Sequence, residues 1–265
     1  LTFTAKAKKE MFDVIYSMAQ GRFPDSDIMK IRIHTFHGFT NDYLREAGLI
    51  SSDIIGNNFL RYSILESFIE NKAFNYGKDY IIDTLMPKAE NAIRYIKSFG
   101  VTYDKIDMAK ASSLIEENFT PTKAYSKEDL KVFLKYFVSA YRYYEESKND
   151  TIDYSDMLLT FIQKFQGEKF QHVLVDEMQD MNEIQAQIVE MVSENLFLVG
   201  DAKQAIFGFQ GGSIKNFLRF EKQMKKLMLS TNRRSTQQIL DYSKHYFLER
   251  TEYVTNFQKE LEKFN

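Results

Sequence analysis

Phe170-Gln171-His172-Val173-Leu174-Val175-Asp176-Glu177-Met178-Gln179-Asp180-Met181-Asn182 is the stretch on which the reading of the whole chain turns. The apolar run from His172 to Val175 is short enough to be one buried strand, and it stops on two adjacent carboxylates, Asp176 and Glu177. In an open parallel sheet, ligands sit at the carboxyl ends of the strands, so an acid pair there is placed for metal and phosphate chemistry. One acid can hold Mg²⁺ while its neighbour positions a water. An isolated Asp-Glu pair more often just begins a solvated loop or caps the next helix. The flanking chain has to decide between the two.

With 265 residues the chain can bury a real core as one large domain or two smaller ones. A hydrophobic content of 44%, a charged content of 27% and only 3 Pro argue for a globular protein rich in helix. No apolar run reaches the roughly 20 residues needed to cross a bilayer, and the first residues do not resemble a signal peptide. The expectation is a soluble, intracellular (cytoplasmic) protein. Cys is absent, which excludes disulfides and thiolate metal sites, and the 4 His are scattered. The net charge of −2 excludes a molecule that holds nucleic acid by its overall field. The segment from Ser213 to Arg234 is locally basic, but Lys215 to Lys226 reads as a solvated helix face. Arg233 and Arg234 differ, because they sit beside turn residues after a short apolar run.

Leu1-Thr2-Phe3-Thr4 reads as the end of a strand. Ala5 to Met18 follows as a helix with Ala7, Met11, Val14, Ile15 and Met18 on one buried face. Ile31 to His34 reads as a second strand, ending at Thr35-Phe36-His37-Gly38-Phe39. This strand, helix, strand order predicts a parallel sheet. From Ser51 to about Asp150 the apolar and aromatic residues take helical spacing, and Ser126 with Asp129 is a helix start signal. The chain therefore reads as residues 1–50 and 151–265 forming one sheet domain, with residues 51–150 inserted as a helical subdomain. Beyond it, Asp156 to Phe165 and Glu183 to Val192 read as helices, Leu196 to Val199 as a buried strand and Leu227 to Leu229 as a further strand. Ser213 and Ser235 begin later helices, the second running to about Glu249. Several strands thus end in polar chemistry: Thr4, Thr35, Asp176-Glu177, Gln204 and Asn232-Arg233-Arg234. A metal ligand, a water-positioning acid, an amide and an arginine at successive strand ends form a phosphate-handling set.

These segments resemble, in order, the motifs of superfamily 1 DNA helicases of the UvrD/Rep/PcrA type, with RecB and AddA as more distant relatives. Leu1 to Met11 is similar to motif Ia, Thr35 to Phe39 to motif Ib, and Val175 to Asp180 to motif II, the Walker B element. Gly200 to Phe209 resembles motif III and Asn232 to Ser235 motif IV. The helical insertion falls where this family places its 1B subdomain. The resemblance implies an α/β fold, a RecA-like parallel sheet of the P-loop NTPase type flanked by helices. It also implies ATP and Mg²⁺ as cofactors and single-stranded or partly duplex DNA as partner, with repair or recombination proteins as further partners. By position, Asp176 would bind Mg²⁺, Glu177 would activate the attacking water, and Gln204 would contact the γ-phosphate. Arg234 would be the arginine finger, with Arg233 beside it at the nucleotide. Phe3, Phe36, Phe207 and Phe209 would line the single-strand path, and Thr4, Thr35 and His37 would touch the DNA backbone.

The departures are specific. The sequence contains no Gly-x-x-x-x-Gly-Lys-Ser/Thr phosphate loop, which the family carries just upstream of motif Ia. The family's second motor domain is likewise not found, so the expectation is a fragment that does not hydrolyse ATP or unwind DNA by itself. Ala5 replaces a usual Asn, Arg233 stands where an aromatic usually stacks on adenine, Gln210 replaces a common Arg, and Lys203 leans toward RecB and AddA. The leading expectation is part of an ATP-driven translocase on single-stranded DNA, moving 3′ to 5′ as the family implies. The alternatives are a non-catalytic single-strand or repair-partner binding module of helicase ancestry, and a helicase-nuclease fusion.

Overall fold

The computed structural model describes residues 1–50, 53–70, 72, 76–204, 214–229 and 231–242. The chain divides into two compact units, Leu1–Lys222 and Gln223–Asn265. In the first unit, α1 (Ala5–Ala19) starts where the Thr4 hydroxyl accepts from the Ala7 amide at 3.0 Å. Its apolar stripe is present, but no residue of the helix is buried, and Val14 and Met18 are 56% and 63% exposed. Period fixes which residues share a face, whereas burial needs a neighbour to cover it. The short α2 (Asp25–Ile28) flanks that stripe across an open groove of about 430 Å³ lined by Ile15, Met18, Phe23, Ile28 and Ile31.

The strand expected at Ile31–His34 is only extended chain. It makes an isolated parallel bridge, Thr2 to Thr35, in which the Thr2 amide donates to the His34 carbonyl at 3.0 Å. The ladder stops because the chain turns at once into α3 (Phe36–Glu46), a helix the sequence reading does not anticipate. Thr35 caps it, its hydroxyl accepting from the Gly38 amide at 3.0 Å. A second isolated parallel bridge, Ile54 to Ile152, brings together the two ends of the helical segment.

Between those ends lie α4 (Asn57–Glu70), α5 (Lys78–Tyr80), α6 (Met86–Lys97), α7 (Met108–Asn118) and α8 (Lys127–Ser147). A π-helical turn, Ile81–Leu85, separates α5 from α6. Pro87 lies two residues beyond it, in the first turn of α6; a proline has no amide to donate and its ring crowds the carbonyl four residues back, so the widened turn absorbs the conflict. Ser126 and Asp129 form the anticipated reciprocal capping box at the start of α8. The aromatic residues of this segment are core: Ile64, Phe68, Ile93, Phe137, Tyr141 and Tyr144 bury against one another.

The segment is tied to the next helix, α9 (Tyr154–Lys164), by buried charge. Lys97 Nζ lies 2.8 Å from Glu145, 2.5 Å from Asp153 and 2.6 Å from Asp156. Lys148 Nζ lies 2.5 Å from both Glu145 and Asp156. Tyr144 donates its hydroxyl to Asp153 at 2.7 Å. These three carboxylates are close enough together to hold a cation, and the two ammonium groups fill that role. Burial opposes the charge on Asp153, but Lys97 and Lys148 outweigh it and hold that carboxyl down at about 2.

β1 (Phe170–Val175) and β2 (Ser193–Leu198) pair in parallel, with Val173 opposite Leu196 and Val175 opposite Leu198. They are joined through α10 (Glu183–Val192), which begins with an Asn182/Gln185 capping box and packs on both strands. Val173 and Val175 are buried on that side, while Leu174, Phe197 and Val199 are 59%, 52% and 40% exposed. Both strands were expected to be buried on two faces; among the described residues only one face is covered. The sheet proper has two strands among the described residues, fewer than the sequence suggests. α11 (Ile214–Gln223) buries Phe220, and its Arg219 lies 3.3 Å from Glu190 on α10.

In the second unit the expected strand Leu227–Leu229 is open chain, with side chains 73%, 79% and 95% exposed. A strand persists only when its amides are paired, and among the described residues this run has no partner strand. Asn232 Oδ1 accepts from the amides of Arg234 and Ser235, each at 2.9 Å, and a helix follows at residues 237–242. Thr236 rather than Ser235 supplies the first helical acceptor, through its carbonyl to the Leu240 amide.

Candidate functional site

The backbone pattern at the end of β1 explains how the acid pair is presented. The Val199 amide donates to the Val175 carbonyl at 2.8 Å, and a regular parallel ladder would return from residue 177 to the Val199 carbonyl. Here the returning amide is that of Met178, at 2.9 Å. One extra residue is thus accommodated at Asp176-Glu177, a bulge that lifts both carboxylates out of the ladder. Glu177 takes the left-handed conformation, φ 54° and ψ 43°, which costs a non-glycine residue on the order of 1–2 kcal/mol. Asp176 Oδ1 accepts from the Glu177 amide at 3.0 Å and steadies the turn.

The turn after β2 packs directly onto this bulge. A Cβ on Gly200 would fall 2.5 Å from Met178 Cγ and 2.6 Å from Gln179 Oε1, so only glycine fits. Gln179 is 3% exposed; its Oε1 accepts from the Asp201 amide at 3.1 Å, and its Nε2 donates to Glu177 Oε2 at 2.7 Å. Gln204 ends a single helical turn, Ala202–Gln204, and its Nε2 donates to Asp201 Oδ2 at 3.2 Å. Asp176, Glu177 and Gln204 are therefore joined through Gln179 and Asp201, two residues to which sequence reasoning gave no role. The signal available in the sequence was a glycine at a strand end, which marks close backbone approach.

The acid pair also touches the start of the chain. The Asp176 amide donates to the Leu1 carbonyl at 3.2 Å, and the Leu1 nitrogen donates to the Leu174 carbonyl at 2.5 Å. With the Thr2–Thr35 bridge, this sets extended segments side by side in the order Thr35, Leu1-Thr2, β1, β2, all running the same way. Their ends carry the expected residues. Thr4 and Thr35 cap α1 and α3, whose free amides make helix N-termini suited to phosphate oxygens. Phe3 is partly exposed and lies 5.3 Å from Phe36, ring centre to ring centre. Phe36 itself is 1% exposed, a core residue that supports Phe3 and offers no ring face of its own. His37 packs edge-on against Tyr154 at 5.3 Å, and burial pushes its pKa down, favouring the uncharged imidazole.

Among the described residues, neither Asp176 nor Glu177 forms an ion pair with a Lys or Arg side chain; the positive group that acts on Asp176 is the Leu1 ammonium. Hard carboxylate oxygens of this kind fit a divalent cation such as Mg²⁺. Burial, and next the charge of Glu177, push the neighbouring Asp180 carboxyl upward. Arg233 and Arg234 are exposed in the second unit. Phe207, Phe209 and Gln210 lie outside the described residues.

The bulged acid pair at the end of a parallel strand is thus locked to the turn of the neighbouring strand. The chain belongs to the UvrD/REP helicase N-terminal domain family, whose model matches residues 1–225. It is 29% identical over 231 residues to a probable DNA helicase II homolog of Mycoplasma pneumoniae, covering 80% of this chain and 29% of that protein. It is 29% identical over 261 residues to the ATP-dependent DNA helicase PcrA of Leuconostoc citreum, covering 91% of this chain and 31% of the relative. The PcrA of Staphylococcus epidermidis is 30% identical over 258 residues, covering 91% of this chain and 32% of the relative. The chain thus spans about a third of the length of these relatives.

Proposed function

We propose that this chain forms part of an ATP-dependent DNA helicase or translocase acting on single-stranded DNA in repair or recombination, with Asp176 and Glu177 at its hydrolytic centre. The parallel strands and flanking helices are read as a RecA-like motor fold of the P-loop NTPase type, contributed by residues 1–50 and 151–265. Residues 51–150 are read as a helical subdomain inserted into it. The observation that carries the proposal is the bulge at Asp176-Glu177, which lifts both carboxylates out of the ladder while tying their backbone to the turn that bears Gln204.

In this reading Asp176 holds Mg²⁺, which when bound neutralises charge on the nucleotide's phosphates. Glu177 orients the attacking water and accepts its proton. Gln204 contacts the terminal phosphate. Arg234, with Arg233 beside it in sequence, is assigned to the nucleotide by sequence position alone. Thr4 and Thr35 offer helix N-termini to the DNA backbone, His37 contributes a neutral donor or acceptor, and Phe3, backed by Phe36, offers a stacking face. Phe207 and Phe209 complete the path by their position in the sequence.

Replacing Glu177 by Gln in the full-length protein tests this. DNA-stimulated ATP hydrolysis falls by roughly 10²- to 10⁴-fold, the range for a lost general base, while ATP still binds. Hydrolysis at the unaltered rate would remove Glu177 from the mechanism.

A further inference from the structure

The geometry points to Gln179 as a positioning residue that holds the Glu177 carboxylate in place and makes its placement depend on the turn after β2. This rests on the reading of Glu177 as the water-activating group. Glu177 needs such a restraint. It is an exposed, long side chain on a left-handed residue. Its carboxylate accepts a hydrogen bond from Gln179 Nε2, at 2.7 Å. Gln179 is in turn fixed, being 3% exposed with its Oε1 on the Asp201 amide at 3.1 Å.

The orientation of that amide is not arbitrary. Turned over, it would set its NH₂ against the Asp201 N–H and its oxygen against the Glu177 carboxylate, two repulsive contacts in place of two attractive ones. Gly200 makes the arrangement possible, because a Cβ there would lie 2.6 Å from Gln179 Oε1. The chain of contacts runs on, since the Asp201 carboxylate accepts from Gln204 Nε2 at 3.2 Å. A shift of the Gly200–Gln204 turn therefore pulls on the Asp201 amide, on Gln179, and so on the acid. Gln179 touches none of the reacting atoms and acts through Glu177.

The test uses the full-length protein with two substitutions. Gln179→Met keeps the volume and removes the donor. It is expected to lower kcat roughly 10- to 100-fold, as displaced catalytic groups do, with KM for ATP changed by less than about twofold. Gln179→Glu keeps an acceptor for the Asp201 amide but sets a negative charge beside Glu177. It loses the donor just as Gln179→Met does and adds repulsion, so kcat falls at least as far while KM for ATP again changes by less than about twofold, a split a merely structural role would not produce. A kcat for either Gln179 variant within about twofold of the unaltered protein, or a loss of kcat matched by an equal rise in KM, overturns the assignment. Should Gln179→Met fail to fold, the kcat and KM of Gln179→Glu decide. Glu177→Gln run alongside separates the two failures. If it is inactive while both Gln179 variants behave normally, only the role of Gln179 falls; if it is active, the reading of Glu177 falls first.

Discussion

At the scale of single residues, the site depends on one that carries no side chain. Gly200 allows the turn after β2 to lie against Met178 and Gln179, with no room for even a methyl group. Gly200→Ala should destabilise the protein by roughly 1–3 kcal/mol, the usual cost of overpacking, and lower hydrolysis as well, because relief of the clash moves Gln179. Chemical denaturation and steady-state kinetics on the same preparation check both; a loss of stability with unchanged kcat would separate the turn from Glu177. Sequence alone identified Asp176 and Glu177, because adjacent carboxylates ending an apolar run are a local pattern. It did not identify Gln179 or Gly200, whose roles come from a contact between segments more than twenty residues apart. Phe36 shows the converse. The family resemblance implies a DNA-facing ring there, but the turn into α3 carries that ring inward.

Among the elements, α9 has two loyalties. It packs on α3 and α10, and through Asp153 and Asp156 it also holds Lys97 and Lys148 of the helical segment. Lys97→Met would leave three carboxylates facing one ammonium, and removing one partner of a buried ionic cluster costs about 3–5 kcal/mol. Hydrogen exchange should show the loss concentrated in α6, α8 and α9; protection unchanged in all three would reduce the cluster to decoration. The same cluster sets an acid limit. The Asp153 carboxyl, held at about 2 against an ordinary 3.8, contributes stability that is complete above about pH 4 and disappears as pH falls toward 2, on the order of 2 kcal/mol. Acid titration followed by denaturant unfolding should show that term weakened in Lys97→Met. Element boundaries were largely legible: α1, α8 and α10 begin at side chains that visibly accept backbone amides. α3 was not, since Gly38 in its first turn is a poor helix former and the preceding Ile31–His34 run suggests a strand.

For the molecule as a whole, the first unit is built so that a long helical segment leaves and re-enters next to itself, at the Ile54–Ile152 bridge. Replacing residues 57–150 with a flexible linker of about a dozen residues, the length a parallel crossover needs, should leave β1, β2 and the acid pair folded. Persistent amide protection at Val173, Val175 and Leu198 in the shortened full-length protein would bear this out; its loss would make the helical segment part of the same folding unit. The sequence by itself determined the apolar run that ends in the acid pair and most helices, because those are local patterns of period, capping and spacing, and its motifs carried the family resemblance. The tertiary structure decided which apolar faces are covered, as on α1 and the outer side of β1 and β2, and which ring is core. It also decided that a buried glutamine links Glu177 to the next turn. Those outcomes depend on what lies across from a residue in space, and neither helical period nor neighbouring sequence encodes that.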